Sequence, residues 1–567
     1  MLPQIGNIEP RFGNIGVLRW QPWAGLAMGL PKSHSSLRTM QWCVLLPSSS
    51  RSFPFRITMV TGKSLCREPL PRYITRRRHE PITKEISKAA DGKPRSPVML
   101  AALVFALIIV ALGLLFVVNN QPGPSSKTQT TTSSSTTQTI STTVSLPGSY
   151  SVWPTYHRDA SRTGFDPSGG PLTSVLPGWV SPSLDGEVYA EPLLAGGMLV
   201  AATENNTVFA LNDSSGQIIW QRHLGAPVPR SDLPCGNIDP TGITGTPVID
   251  ISTQSVYAVA FMRADHQHWL LALDLETGEV KFSRVVDPPG GDPLVEQQRG
   301  ALSLSKGVLY VPYGGLYGDC GEYHGWVVGT PANITSRVFA YQVPTGRGGG
   351  IWAPSGAAVG AGGGLLVSTG NSFASSVFDY GDSVIRLSPS LQLLDWFAPS
   401  DWVALNNGDT DLGSVGPSLL GPDLVFQIGK DGNGYLLNRT HLGGVGGQLF
   451  TSRVCGSAYG GNAYASPYLY VPCTDGLVAL KVNLGPNPSF SVSWRGPSFR
   501  AGPPIVARGA VWVLDVDSGN LNAFNATDGQ AIFSHSVGRT VRFATPSEGD
   551  GRVFVAAGTR ILSFILA

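Results

Sequence analysis

The chain has 567 residues, of which 14% are charged and 42% hydrophobic, and it contains 69 glycines and 44 prolines. So few charges with so many turn-forming residues are typical of short strands joined by tight turns, and they argue against a protein built from long helices. The net charge is +2, and the basic residues cluster before one apolar run. We therefore expect no nucleic-acid-binding face.

The first predicted element is a transmembrane helix over residues 98–118, VMLAALVFALIIVALGLLFVV. This run is uncharged and long enough to cross ~30 Å of hydrocarbon as a helix. Seven basic residues precede it between Arg76 and Arg95, and only Lys127 follows within the next thirty residues. The positive-inside rule then places the N-terminus in the cytoplasm and everything after residue 118 outside. A cleaved signal peptide is the alternative, although the run is long for one and no small-x-small cleavage site follows it cleanly.

Two segments flank this helix. Residues 1–97 form a basic cytoplasmic segment that we expect to be largely disordered, and Met59 is an alternative start of translation. Residues 119–149 are rich in Ser and Thr and nearly free of large apolar side chains, so we expect an extended linker. Sequons that would be open to glycosylation outside the membrane occur at Asn205, Asn212, Asn333, Asn438 and Asn525.

Residues 150–567 repeat one pattern. A Gly-, Ala- or Pro-rich strand leads to a Val-, Leu- or Tyr-rich strand, then a turn, a third strand, a glycine turn and a final strand with an aromatic residue; the clearest copy spans residues 191–220. The last copy stops one strand short at Ala567, while residues 176–184 have the character of an outermost strand. Because a propeller closes when a strand from one terminus completes the sheet begun at the other, we predict eight four-stranded blades closed near Trp179. Seven blades is the alternative, since insertions blur the count.

The repeats resemble those of the quinoprotein alcohol dehydrogenase superfamily, the pyrroloquinoline-quinone (PQQ) repeat β-propellers. The stretch ALNDSSGQIIW at residues 210–220 is similar to the A-L-D-x-x-T-G-x-x-x-W blade pattern, and WPTYHRDASRTG at residues 153–164 is similar to the opening segment of such proteins. The resemblance covers about residues 150–567. It implies an all-β, eight-bladed propeller of quinoprotein type after the transmembrane helix, but repeats shared by scaffolds and dehydrogenases do not fix the chemistry.

Residues 348–372 are similar to the enzyme segment in which a Trp stacks beneath the quinone and the Asn of a Thr-Gly-Asn motif binds calcium. Trp352 and Asn371 match these two positions. The blade before them supplies a calcium-binding Glu in the enzymes, and Glu322 is the nearest candidate here. The resemblance therefore implies a quinone-stacking Trp352 and a calcium site that includes Asn371 and Glu322.

Residues 406–440 are similar to the segment that carries the catalytic Asp and a Lys in contact with the quinone oxygens. Asp411, or alternatively Asp409, matches the catalytic residue, and Lys430 matches the lysine. A planar anionic quinone needs an aromatic surface, cations and a hard divalent ion, and a nearby Asp would accept the alcohol proton. The alternative is that these residues have only structural roles, with the Trp packing a blade, the Asp capping a turn and the Lys solvated.

Two features of the enzymes are missing from the sequence. It contains no adjacent Cys-Cys pair and no Cys-x-x-Cys-His haem motif, so electrons would have to pass to an external acceptor. The propeller region instead has four separate cysteines, which permit three pairings. We predict disulfides between Cys235 and Cys320 and between Cys455 and Cys473, each linking neighbouring repeats, with buried free thiols as the alternative.

The sequence thus predicts a single-pass, extracytoplasmic PQQ-like propeller, expected to be a monomer, that binds a ligand or a partner through its central funnel. An envelope protein or a glycan is the candidate partner. The alternative is a PQQ- and calcium-dependent dehydrogenase oxidising alcohols or sugars. A polysaccharide-cleaving enzyme would need paired carboxylates in the funnel, which sequence spacing does not test.

Overall fold

The computed structural model describes residues 150–333 and 337–567, all within one compact unit, Thr137–Ala567. The basic segment 1–97, the predicted transmembrane helix 98–118 and the linker 119–149 lie outside the described residues. Within the part that is described, no helix is long and apolar enough to cross a membrane.

The described chain folds into eight sheets of four or five strands, which we call blades 1 to 8. The numbering starts at the first full repeat, so that blade 1 begins at its first strand. Blade 1 contains Leu193–Ala195, Met198–Thr203, Thr207–Asn212 and Ile218–His223; blade 2 contains Val248–Asp250, Ser255–Met262, Gln267–Asp274 and Val280–Val285. Blade 3 contains Ser303–Ser305, Val308–Gly315, Trp326–Pro331 and Phe339–Gln342, with Glu296–Gln297 added; blade 4 contains Ala358–Val359, Leu365–Ser368, Val384–Leu387 and Leu393–Ala398, with Gly444–Val445 added.

Blades 5 to 8 complete the ring. Blade 5 contains Ser418–Leu420, Leu424–Gln427, Asn433–Asn438 and Phe450–Arg453; blade 6 contains Ala463–Ala465, Tyr468–Cys473, Gly476–Asn483 and Ser489–Arg495. Blade 7 contains Ile505–Ala507, Ala510–Asp515, Asn520–Asn525 and Ala531–Ser536, with Phe165–Asp166 added; blade 8 contains Ser547–Gly549, Arg552–Ala557, Arg560–Leu566 and Val175–Val180. The described helical segments are short, namely the α-helix Trp402–Asn407 and the 3-10 turns Arg230–Asp232 and Leu412–Ser414.

The ring closes as the sequence predicted. Val175–Val180 pairs antiparallel with Arg560–Leu566 as the outermost strand of blade 8. The eight-blade prediction is therefore confirmed and the seven-blade alternative is wrong. Apolar clusters lie between neighbouring blades, for example between Leu270 of blade 2 and Leu309 of blade 3, so each sheet buries its faces against its neighbours.

The Gly and Trp of the repeat meet across blade boundaries. The ring of Trp220, in the outer strand of blade 1, covers Gly278 in the last turn of blade 2 so closely that a Cβ there would lie 2.5 Å from the ring. Its Nε1–H donates to the carbonyl oxygen of Leu275 at 3.0 Å. Trp179 of blade 8 makes the same contacts with Gly216 and Asp213 of blade 1. The repeat motif is thus a latch between successive blades.

Three of the sequons have a structural role in these turns. Asn212 and Asn525 end a third strand at the position where blade 2 has Asp274, and all three side chains accept hydrogen bonds from the following turn. The Asn438 side chain caps its turn in blade 5 in the same way. Such Asx turns explain an Asn followed two residues later by Ser or Thr without a glycan, and glycosylation stays a prediction.

Residues 150–166, which we call the plug, cross the centre of the ring. Their backbone bonds to the innermost strands of several blades, through Trp153 and Leu194 of blade 1, Pro154 and Ile249 of blade 2, Ala160 and Val359 of blade 4, and Thr163 and Tyr464 of blade 6. Phe165–Asp166 then pairs parallel with blade 7. A segment that reaches so many innermost strands must fill the central channel. The sequence identified this stretch only by its resemblance to an opening segment.

The plug is held by buried polar side chains. Arg162 donates to the carbonyl oxygens of Tyr156, Leu302 and Ala357 and to the hydroxyls of Thr155 and Ser303. Glu191 of blade 1 accepts the Trp153 Nε1–H at 2.7 Å and the His157 backbone N–H at 2.9 Å. Burial raises the pKa of Glu191 to about 8 and lowers the pKa of His157 to about 3.

Both predicted disulfides are present. Cys235, in the connection between blades 1 and 2, bonds to Cys320 in a loop of blade 3, with 6.1 Å between their Cα atoms. Cys455, after blade 5, bonds to Cys473 of blade 6. The predicted pairing is confirmed, and the alternative of free thiols is wrong.

Candidate ligand-binding funnel

Loops at one face of the ring converge on a pocket of about 650 Å³. Its walls come from the connections between blades and from the loops between the second and third strand of a blade. The plug lies toward the opposite face, where the Ser151 backbone N–H donates to Asp550 in the first turn of blade 8. The channel is therefore a funnel that is filled at one end and open at the loop face.

Four of the five predicted site residues line this funnel. Trp352 follows blade 3, Asn371 lies in a loop of blade 4, Asp411 follows blade 4, and Lys430 lies in a loop of blade 5. These positions are up to 78 residues apart along the chain, and the ring brings their loops together. Whether they bind a cofactor stays a prediction.

Glu322 is not brought into the funnel. Its side chain is 81% exposed and lies 4.0 Å from Arg347. It follows Gly321, whose φ of +76° turns the chain at this point, and Asp319 of the same loop lines the pocket instead. Asp319 accepts the Tyr323 hydroxyl at 2.7 Å. The expected position of Glu322 in the site is therefore not supported by its placement.

Asp411 and Lys430 form an ion pair inside the funnel. The Asp411 side chain is only 5% exposed; its Oδ2 contacts the Lys430 Nζ, and its Oδ1 accepts the Asn371 backbone N–H at 2.7 Å. Lys430 also donates to the side-chain and backbone oxygens of Asp409, at 2.9 and 3.1 Å. The 3-10 turn Leu412–Ser414 is buried and fixes the backbone beside Asp411. The pair is thus preorganised.

Opposing effects set the proton affinities of this pair. Burial raises the pKa of Asp411, and Lys430 opposes that shift. Burial lowers the pKa of Lys430, but Asp411 and Asp409 outweigh it and leave that pKa above its ordinary value. Lys430 is therefore a stable cation, whereas Asp411 is a carboxylate able to accept a proton more readily than an Asp in water.

Two further cations face the funnel without an anion. Arg299 lies with its Cζ 5.2 Å from the Trp352 ring centroid and 5.8 Å from that of Phe543, and its Nε is buried with no partner. The Arg542 Cζ lies 4.0 Å from the Tyr459 ring centroid and 5.8 Å from that of Phe543. Across residues 150–333 and 337–567, we find no hydrogen bond or ion pair to either guanidinium.

The positive charges of these two arginines repel each other. Burial lowers the pKa of Arg299 to about 10, and the nearby charge of Arg542 contributes to the shift. Buried cations are normally paired. The buried, unpartnered Nε of Arg299 beside the exposed Arg542 therefore indicates that the funnel accepts an anion. Sequence reasoning missed both, because an Arg in a repeat loop carries no signal of which way it points.

The donors of the funnel fit a planar organic anion. Trp352 supplies an aromatic surface, and Arg299, Lys430 and Arg542 supply cations around it. Gly370 allows this packing, since a Cβ there would lie 2.8 Å from Asp411 Oδ1 and 2.9 Å from Trp352 Nε1. The PQQ expected from the resemblance is a group of this kind, so these residues fit it.

The donors fit calcium poorly. Calcium takes about six to eight oxygen ligands. Among the described residues, three His, Cys, Asp or Glu ligand atoms within 4.8 Å of one another occur at Cys455, Cys473 and Asp475, and both of those cysteines are in a disulfide. In the funnel, Asn371 is the one residue of the expected calcium pair that lines the pocket.

Comparisons with known proteins agree with this architecture. A family model described as outer membrane protein assembly factor BamB matches residues 161–347, which include blades 1 to 3. No curated protein shows a significant match to the chain.

Three solved structures share the fold. A quinohemoprotein alcohol dehydrogenase from Comamonas testosteroni has a TM-score of 0.57 at 16% identity, over 73% of this chain and 80% of that one. One from Pseudomonas putida HK5 has a TM-score of 0.58 at 14% identity, over 73% and 80%. A europium-containing methanol dehydrogenase has a TM-score of 0.56 at 14% identity, over 73% and 98%.

The closed ring of eight blades and the repeat latch define the class of protein. The described chain is an eight-bladed β-propeller whose repeats resemble those of the PQQ-repeat superfamily, and the family model that matches residues 161–347 agrees with this resemblance. At identities this low the likeness shows the fold alone, and the chemistry has to be argued from the funnel.

Proposed function

We propose that the funnel binds a planar, anionic small molecule, a quinone of the PQQ type. The observation that carries this proposal is Arg299, a largely buried guanidinium that lies near the Trp352 ring with its Nε unpaired. A buried cation without a partner is costly, so a site that keeps one must gain from an incoming anion. Arg542 and Lys430 add charge around the same cavity.

The chain's own residues have separate roles in this binding. Trp352 offers its ring to the plane of the ligand, and Arg299 and Arg542 pair with its carboxylates. Lys430 donates to a ring oxygen while remaining bonded to Asp411. The closed plug end keeps the bound molecule from leaving through the channel, so exchange takes place at the loop face.

Binding is tested by titrating PQQ into the full-length protein in detergent and following the quenching of tryptophan fluorescence. We expect saturable binding at micromolar PQQ and at least tenfold weaker binding by Arg299→Met. Arg263→Met is the matched control, because Arg263 is exposed and pairs with Asp232 away from the funnel. The absence of saturable binding in the unaltered protein would refute the proposal.

A dehydrogenase that oxidises alcohols or sugars is the second candidate, and Asp411 favours it. A quinone of this class, when bound, accepts the two electrons lost by an oxidised alcohol. Asp411, buried and with its pKa raised, is placed to take the hydroxyl proton. Dye-linked alcohol oxidation should then require PQQ and be lost in Asp411→Asn while quinone binding persists. Equal rates in the two proteins would exclude this role for Asp411.

We further propose that the propeller lies outside the cytoplasm, tethered by residues 98–118 and spaced from the membrane by residues 119–149. The apolar run and the basic cluster before it support this topology. Resistance of the full-length protein to alkaline carbonate extraction, with protease access to the propeller in intact cells, would be the expected result. An envelope protein or glycan remains the candidate partner, and glycans on the sequons would appear as a mass decrease after deglycosylation.

A further inference from the structure

We propose that the funnel takes its anionic ligand without a divalent metal ion, and that Lys430 supplies the positive charge which a metal would otherwise bring to Asp411. This inference rests on the proposed function, since it concerns how the same pocket holds the quinone. It departs from the calcium site that the sequence resemblance implied at Asn371 and Glu322.

The first argument is that Asp411 is already neutralised. Its Oδ2 contacts the Lys430 ammonium, and its Oδ1 accepts the backbone N–H of Asn371. The Lys430 side chain is only 17% exposed, so its charge is poorly screened by water. A divalent ion that used Asp411 as a ligand would meet this fixed cation at close range, and like charges in a partly buried site repel strongly.

The second argument concerns oxygen ligands. Glu322 points to solvent beside Arg347, and Asp319 is held by the hydroxyl of Tyr323. The remaining pocket carboxylate, Asp409, is bound to the same ammonium as Asp411. A hard divalent ion needs several converging oxygens, and each of the three carboxylates that line this funnel already accepts a hydrogen bond or ion pair from a protein donor.

The third argument is that the funnel already carries compensating charge. Four basic side chains line it against three acidic ones. Arg299 and Arg542 are the two without partners in the described chain, so they are free to pair with the ligand. Lys430 can exchange its bond to Asp409, whose side chain is 70% exposed, for a bond to a ligand oxygen. The anion is then neutralised by side chains alone.

The test compares PQQ binding by the full-length protein after exhaustive EDTA treatment with binding in excess Ca²⁺ or La³⁺. Tryptophan quenching and equilibrium dialysis both report the dissociation constant without any need for turnover. We expect constants that agree within threefold in the three conditions. Lys430→Met should weaken binding at least tenfold with or without metal, whereas Lys430→Arg should keep most of the affinity. Matching unfolding midpoints would show that the variants are folded.

Glu322→Gln is the matched control, because a residue outside the funnel should change neither affinity nor metal response. Binding that is lost in EDTA and restored by Ca²⁺ or La³⁺ overturns this inference while leaving the proposed function intact. Weaker binding in Glu322→Gln that excess metal repairs overturns it as well. An absence of binding in all conditions refutes the proposed function, and this inference with it.

Discussion

Replacing Arg162 by Ala should loosen the centre of the propeller. Its buried guanidinium makes five hydrogen bonds, at 2.7 Å to Thr155 and Ser303, 2.8 Å to Leu302, 3.1 Å to Tyr156 and 3.2 Å to Ala357. Two of these bonds brace the plug itself, and the other three join it to the starts of blades 3 and 4. Among the described residues, no other side chain of the plug donates hydrogen bonds to both of these blades.

The expected loss of unfolding free energy depends on which hydrogen bonds each acceptor keeps when Arg162 is removed. Without Arg162, the Ala357 carbonyl still accepts the Ser303 hydroxyl and the Leu302 carbonyl keeps a weak bond from Thr155. The Tyr156 carbonyl is left without its side-chain donor. A stranded buried acceptor costs about 1–3 kcal/mol, and the loss of charge-assisted bonds adds a similar amount. We therefore expect the free energy of unfolding to fall by roughly 4 kcal/mol.

Arg158→Ala is the matched control. Arg158 lies in the same plug and also has a left-handed backbone, with φ of +72° against +63° for Arg162. Its side chain is 32% exposed and makes one ion pair, 3.7 Å long, with Asp166. Such a pair contributes less than ~1 kcal/mol. Urea unfolding of the full-length protein, followed by tryptophan fluorescence, measures both variants. If Arg162→Ala lies within ~1 kcal/mol of Arg158→Ala, the anchoring role of Arg162 is wrong.

Three further predictions concern the blades, the buried acids and the disulfides. Gly278→Ala should destabilise the protein by more than ~2 kcal/mol, because the new Cβ meets the Trp220 ring. Its control is Gly290→Ala, at a similar φ but with open space around the glycine. This control should cost only ~1 kcal/mol in the same urea titration. Raised pKa values of Glu191 and Glu296, each about 8, mean that the folded state holds protons which the unfolded state releases above about pH 4.5, so stability should fall as pH rises to about 8. Glu191→Gln should flatten this fall up to about pH 8, and the opposing titration of His157 in the unfolded chain near pH 6.5 is common to both proteins, so it cancels in the difference between them; an unchanged slope would contradict it. Cys235→Ser with Cys320→Ser should weaken PQQ binding severalfold, because the disulfide fixes loops that place Ile238 and Asp319 in the funnel, whereas Cys455→Ser with Cys473→Ser should leave the affinity unchanged in the quenching assay.

Much of the fold could be predicted from the sequence because each blade is encoded by one short, contiguous stretch of the chain. Each blade repeats its own strand and turn pattern, and the missing last strand pointed to closure near Trp179, which the pairing of Val175–Val180 with Arg560–Leu566 confirms. The disulfide pairs were chosen from the three pairings that four cysteines permit because they link neighbouring repeats, and the structure confirms that choice. The convergence of Trp352, Asn371, Asp411 and Lys430 was predicted as well, because the resemblance placed them in successive blades.

The tertiary structure decided what depends on direction and distance. Whether Glu322 points into the funnel rests on the turn at Gly321, and no sequence pattern contains that information. Arg299 and Arg542 come from loops 243 residues apart, and only the closed ring places both beside Phe543. The position of the plug also depends on the closed ring, since the plug bonds to innermost strands that lie far along the chain. Sequence alone determined the repeating blade and its closing strand, through local periodicity. The charge and the open end of the funnel arise from contacts between distant blades, which exist only once the ring has closed.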